Sequence, residues 1–125
     1  MKTEQTDNGT VEIWTAAEVA QARDKIVLID VRTPQEHALE RIGGALLMAL
    51  QEFEPGALPG QSDKRIVLHC GSGVRSGKAA AMCLAAGLGP IAHMEGGLAA
   101  WKDAGQDYVG TDLATGAPKK MRKEK

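Results

Sequence analysis

A chain of 125 residues, 43% hydrophobic and with a net charge of −1, is long enough to bury one core and too short for two domains. Charge is uneven: from Ala117 onward five Lys or Arg against one Glu give +4, which leaves −5 for the rest. With aromatics at 3% and no basic stripe to carry them, nucleic-acid binding is set aside, and no apolar run reaches the roughly 20 residues of a membrane span.

Residues 1–8 are polar and are expected to form a flexible N-terminus. They lack the basic start and apolar stretch of an export signal, which points to a cytoplasmic protein. Val11 to Trp14 alternates as a short strand, and Thr15 with Glu18 spells a capping box that opens a helix to about Arg23. Trp14 reads as packing. Ile26 to Ile29 is a continuous apolar run, as a strand covered on both faces requires. Asp30-Val31-Arg32 ends it, and Thr33-Pro34-Gln35-Glu36 reads as an N-cap with proline opening a short helix to Leu39. Charges at a sheet rim usually pair with one another or cap backbone, so Asp30, Arg32 and Glu36 are expected to be structural residues near a site. Ala45 to Met48 reads as another strand, followed by a surface connection from Glu52 to Asp63.

Ile66-Val67-Leu68 is the next buried strand, with His69-Cys70 at its carboxyl end, where parallel α/β sheets gather their ligands. Gly71, Ser72, Gly73, Val74, Arg75 and Ser76 follow as a candidate substrate-binding loop, and a small-residue helix runs from about Ser76 to Ala86. Its glycines let the backbone curl around one centre. A ring of inward N–H groups at a helix start makes Cys70 a candidate thiolate and catalytic nucleophile. Lowering a thiol pKa of about 8.5 by roughly two units takes about 2.7 kcal/mol. The helix dipole, at about 0.3–1 kcal/mol, is too weak. Charge-assisted hydrogen bonds at roughly 1.5–3 kcal/mol each suffice if two amides, or one amide and Arg75, converge on sulfur. Ser72 and Ser76 offer further hydroxyl donors, and Ser76 doubles as a candidate helix cap. Strand alternation turns His69 to the opposite face, which makes it a poor base for Cys70.

Beyond the loop, Ala79, Ala80, Cys83 and Leu84 recur at helical spacing as a core face. Gly87 stops the helix, and Ile91 to Met94 is the last strand of the sheet, with His93 lacking evident ligand partners. Three scattered histidines and two separated cysteines match no zinc spacing, and no disulfide is expected. Glu95-Gly96-Gly97 returns to the sheet end that carries Cys70, where Gly96 and Gly97 permit close backbone approach. Leu98 to about Gly105 is helical, and Trp101 is expected to pack against the sheet. Periodicity is lost after Tyr108, so residues 114–125 read as a flexible basic tail.

Three ordered signatures resemble the single-domain rhodaneses, which are persulfide-forming sulfurtransferases. They are Asp30-Val31-Arg32 with Glu36 and Ile42-Gly43-Gly44-Ala45; Cys70 to Arg75; and Glu95-Gly96-Gly97-Leu98-Ala99-Ala100-Trp101-Lys102-Asp103-Ala104-Gly105. The resemblance spans about Gly9 to Asp112, and the domain is drawn as 9–113. It departs at Glu40-Arg41, where the family commonly has Gly-His, and at Gly43 in the usual Pro position. It implies a three-layer α/β sandwich with a mainly parallel five-stranded sheet and helices on both faces. It also implies ping-pong sulfur transfer through Cys70, from a small anionic donor such as thiosulfate to cyanide, a thiol or a protein cysteine. Neither cofactor nor metal is required. The alternatives are a cysteine phosphatase or arsenate reductase of the same fold, and a non-enzymatic interaction module. Against the first, Cys70 and Arg75 enclose four residues, where tyrosine and dual-specificity phosphatase loops enclose five. Against the second, such modules often lack the cysteine.

Overall fold

A computed structural model of the chain describes residues 1–123. In chain order it contains β1 (Lys2–Thr6), β2 (Gly9–Trp14), α1 (Ala16–Gln21), β3 (Ile26–Asp30), α2 (Pro34–Leu39), β4 (Glu40–Arg41), β5 (Leu46–Leu47), β6 (Arg65–His69), α3 (Val74–Ala85), β7 (Ile91–Met94), α4 (Gly97–Asp103), β8 (Tyr108–Thr111) and β9 (Pro118–Met121). Single 3-10 turns cover Arg23–Lys25, Leu50–Glu52 and Pro55–Ala57. No described helix is long and apolar enough to cross a membrane.

The main sheet has the order β1-β2-β7-β6-β3-β5, parallel throughout except for β1. The apolar runs explain its centre, since Ile66, Val67 and Leu68 of β6 are at most 2% exposed. Alternation divides them between two cores. Ile66 and Leu68 pack with Ile29 against Ala79, Ala80 and Cys83 of α3 on one face. Val67 and Leu28 pack with Val19 of α1 and with Leu98 and Trp101 of α4 on the other. This is the expected three-layer α/β sandwich.

The sheet has six strands instead of five because the N-terminus is paired, where the sequence reading expects a flexible segment. Every β1 side chain is exposed, so no apolar alternation marks it. Backbone pairing from Lys2↔Ile13 to Thr6↔Gly9 holds it, and Thr6 Oγ1 accepts from Asn8 N at the turn. At the other end, β9 pairs antiparallel with β8, which pairs with β4 in a second, three-stranded sheet. Residues 114–123 are therefore not the expected loose tail. Lys120 and Arg122 reach Asp107 at 3.1 and 2.6 Å, and Lys123 pairs with Asp103. The last two tail residues lie outside the described range.

Both expected helix starts carry full capping boxes, Thr15 with Glu18 and Thr33 with Glu36. α1 stops at Gln21, short of Arg23. α3 starts at Val74, with Gly73 at its N-cap at φ +105° and no side-chain cap, so Ser76 is not the cap residue.

Candidate active site

β6 delivers Cys70 to the start of α3, and the sulfur takes the role that a capping side chain would have had. Gly73 N donates to Sγ at 3.0 Å and Ser76 N at 3.3 Å, while the Ser76 hydroxyl lies 3.6 Å from it. Cys70 is fully buried. Burial is the largest single influence on this thiol and opposes ionisation. The Ser76 amide and hydroxyl, with the Ser72 and Gly73 amides, together outweigh it and hold the pKa below its ordinary value. Backbone amides thus converge on the sulfur from the loop and the helix start.

Arg75 does not join it. Its guanidinium forks onto Glu36, with Nη1 at 2.6 Å from Oε1 and Nη2 at 3.0 Å from Oε2. Glu36 also accepts from Thr33 N in the α2 capping box, and the Arg75 fork with these bonds lowers its pKa to about 2. Glu36 therefore pairs with the loop, apart from Asp30 and Arg32. Asp30 is buried and accepts from Arg32 Nε and Nη2 at 3.0 and 2.8 Å and from Arg32 N at 2.9 Å. Burial raises its pKa, but the Arg32 fork, with His69 and His37 beside it, brings it below the usual value. Arg32 Nη2 also donates to Glu40 O. This pair ties β3 to β4. A depression of about 210 Å³ opens between Val31, Thr33, Leu50 and Arg75, beside the loop.

The Glu95-Gly96-Gly97 turn clamps the loop from behind. Leu98 N donates to Cys70 O at 2.8 Å and Ala99 N to Gly71 O at 3.2 Å. Gly97 has φ +59°, and a Cβ there would lie 2.3 Å from Cys70 O, so only glycine fits. A Cβ on Gly73 would meet Gly96 N at 3.3 Å. Trp101 lies in the core and donates from Nε1 to Asp107 O at 2.8 Å, away from the pocket. Val74 is 64% exposed at the helix start.

His69 is buried and turned to Asp30, with Nε2 3.9 Å from Oδ1 and Nδ1 3.2 Å from Cys70 O. Burial lowers its pKa. The sequence reading missed His93, whose Nδ1 is 2.9 Å from Ser76 Oγ. A signal existed. His93 stands in register with Leu68, and alternation puts residues 68 and 70 on the same face. Knowing that β7 adjoins β6 was the missing step.

A family model described as Rhodanese-like domain matches residues 15–104. An uncharacterized protein of Synechocystis sp. is 40% identical over 107 residues, covering 86% of this chain and 59% of that protein. A sulfurtransferase of Allochromatium vinosum is 31% identical over 69% of this chain and 80% of its own length. Among solved structures, a rhodanese-related protein from Thermoplasma volcanium superposes with a TM-score of 0.70 at 26% identity, over 78% of this chain and 97% of that one. A Rhodopseudomonas palustris protein described as a possible tyrosine phosphatase gives 0.66 at 32% identity, over 75% and 81%.

Proposed function

The chain belongs to the Rhodanese-like domain family, and we propose that it is a sulfurtransferase that carries sulfur on Cys70 as a persulfide. The observation that carries this reading is the pair of amides, from Gly73 and Ser76, aimed at one buried sulfur. The Cys70 thiolate attacks the outer sulfur of a donor such as thiosulfate. The new Sγ–S bond forms as the donor's S–S bond breaks, and sulfite leaves with the bonding electron pair. A thiol, cyanide or a protein cysteine then takes the outer sulfur, and Cys70 departs as thiolate. Loop amides stabilise the anion on Cys70 at both ends of the cycle. Two free cysteines suit a reducing, cytoplasmic setting rich in thiol acceptors.

Glu36 already engages Arg75, so a dianionic donor has to compete with a carboxylate for the guanidinium. Intact-mass analysis after thiosulfate treatment tests the reading: one added sulfur, about 32 Da, on Cys70 is expected. A protein that gains none from thiosulfate or from a low-molecular-weight persulfide is not a sulfurtransferase. The similarity to a possible tyrosine phosphatase favours a second reading, hydrolysis of phosphate esters. Efficient turnover of p-nitrophenyl phosphate without the sulfur adduct would establish it in place of the first.

A further inference from the structure

Ser76 Oγ stands among three polar groups: Cys70 Sγ at 3.6 Å, Gly73 O at 3.2 Å and His93 Nδ1 at 2.9 Å. A hydroxyl has one proton to donate. When Nδ1 is bare it accepts that proton, and the Cys70 thiol donates to Oγ. When Nδ1 bears a proton it donates to Oγ, and the hydroxyl hydrogen is free to turn to a thiolate. The two ends of this chain are therefore coupled without touching.

We propose that His93, acting through the Ser76 hydroxyl, takes up the proton that Cys70 releases and so sets when the nucleophile is a thiolate. The S–H proton passes to Ser76 Oγ as the Ser76 O–H proton passes to Nδ1. Sγ keeps its electron pair as thiolate, Ser76 stays a neutral hydroxyl and the imidazole becomes imidazolium. His93 is a positioning residue, and the proposal rests on Cys70 being the nucleophile.

The surroundings of His93 suit this exchange. Its register partners on β2 and β6 are Ile13 and Leu68, both apolar, and Gly77 of α3 approaches Cε1 with no side chain between. The charged groups acting on it are Glu4 of β1 and Glu95, the latter paired with Lys2, besides Cys70 through Ser76. Burial lowers the His93 pKa, and Glu4 and Glu95 oppose it. The proton is thus held weakly unless a thiolate faces it.

The test is the pH dependence of Cys70 alkylation by iodoacetamide in the full-length protein, with the adduct located by mass. His93→Asn keeps a polar side chain that does not titrate, and it should raise the alkylation midpoint by about one pH unit, a tenfold loss of thiolate on the acid side. Ser76→Ala should raise it too, and His93→Asn should add nothing in that background. Coupling is reciprocal, so the His93 NMR titration midpoint should fall by a matching amount in Cys70→Ser. Superposable profiles for wild type and His93→Asn, additive shifts in the double variant, or a His93 midpoint indifferent to Cys70 would each overturn the relay. If His93→Asn does not fold, the Cys70→Ser titration decides alone. The readout separates two failures. Unshifted profiles with sulfur uptake intact sink the relay, whereas shifted profiles without sulfur uptake sink the transferase reading.

Discussion

Cys70 and Cys83 are both free and both fully buried, at opposite ends of the same helix. Cys70 lies just outside the first turn of α3, where unpaired backbone N–H groups point at its sulfur. Cys83 lies in the last turns, where the Ala86 N–H bonds back to helix carbonyls, and burial alone pushes its thiol up to about 11. Burial acts on both in one direction. The difference is supply of donors, so a helix start makes a thiolate out of an environment that elsewhere makes an inert thiol.

The largest test of that contrast removes each sulfur in turn. Cys70→Ser should abolish both the sulfur adduct and thiocyanate formation from cyanide, and Cys83→Ser should retain most of both. Cys83→Ser should instead lower stability in urea by about 1–3 kcal/mol, because it buries a hydroxyl in an apolar cluster. Equal loss of transfer in the two folded variants would erase the distinction. The next test attacks the support of the cradle. Gly97→Ala places a Cβ against Cys70 O at a positive φ and should cost about 3 kcal/mol by urea unfolding. It should also slow Cys70 alkylation more than a remote variant of equal stability does. An unperturbed Gly97→Ala protein would show that α4 does not hold the loop.

The contrast between the cysteines was open to sequence reasoning because it depends on local order. A strand end, two glycines and a helix start follow one another within the chain, and such short-range patterns fix both the loop and the placement of Cys83 on a core face. Among the central strands, β3 and β6 were legible from continuous apolar runs and β2 from alternation, for the same reason. What escaped depends on partners remote in sequence or on backbone alone. β1 and β9 are polar edge strands, held by pairing that leaves no hydrophobic pattern. The fork of Arg75 on Glu36 is invisible in the loop's own pattern, because its partner stands thirty-nine positions away. The sequence offers Ser76 as a helix cap, although Sγ fills that need from outside, and the neighbour of His93 follows only from the strand order.

Alkaline unfolding gives a subtler separation. The pKa of Cys83 is raised in the folded state, so its stabilising contribution is complete below the ordinary thiol range and is lost as pH rises through about 9 towards 11. The pKa of Cys70 is lowered, so its contribution has the opposite sign: present above the unfolded value and lost as pH falls through the folded one. Urea midpoints across alkaline pH should therefore decline less steeply in Cys83→Ala than in wild type, and more steeply in Cys70→Ala. Parallel curves for all three proteins would mean that the two thiols are not oppositely shifted.

The smallest effect concerns a charge near Cys70 that the sulfur does not use. Glu36→Gln removes the carboxylate that holds Arg75, while the amide can still accept at the α2 cap. The freed guanidinium has two outlets, an incoming anion and the Cys70 thiolate. At a partly exposed site both are screened, so the alkylation midpoint should fall by only a few tenths of a pH unit. The KM for thiosulfate should fall about threefold with little change in kcat, because a charge made available to donor and transition state alike alters binding more than chemistry. Arg75→Ala should shift KM the other way, and Arg75→Lys should restore part of it, replacing a planar fork with a point charge. Cys83 should not respond to any of the three. If Glu36→Gln weakened thiosulfate use instead, Arg75 would be serving the site through its fixed fork on Glu36 rather than as a cation awaiting an anion. The cradle would then extend from the loop amides to the capping box of α2.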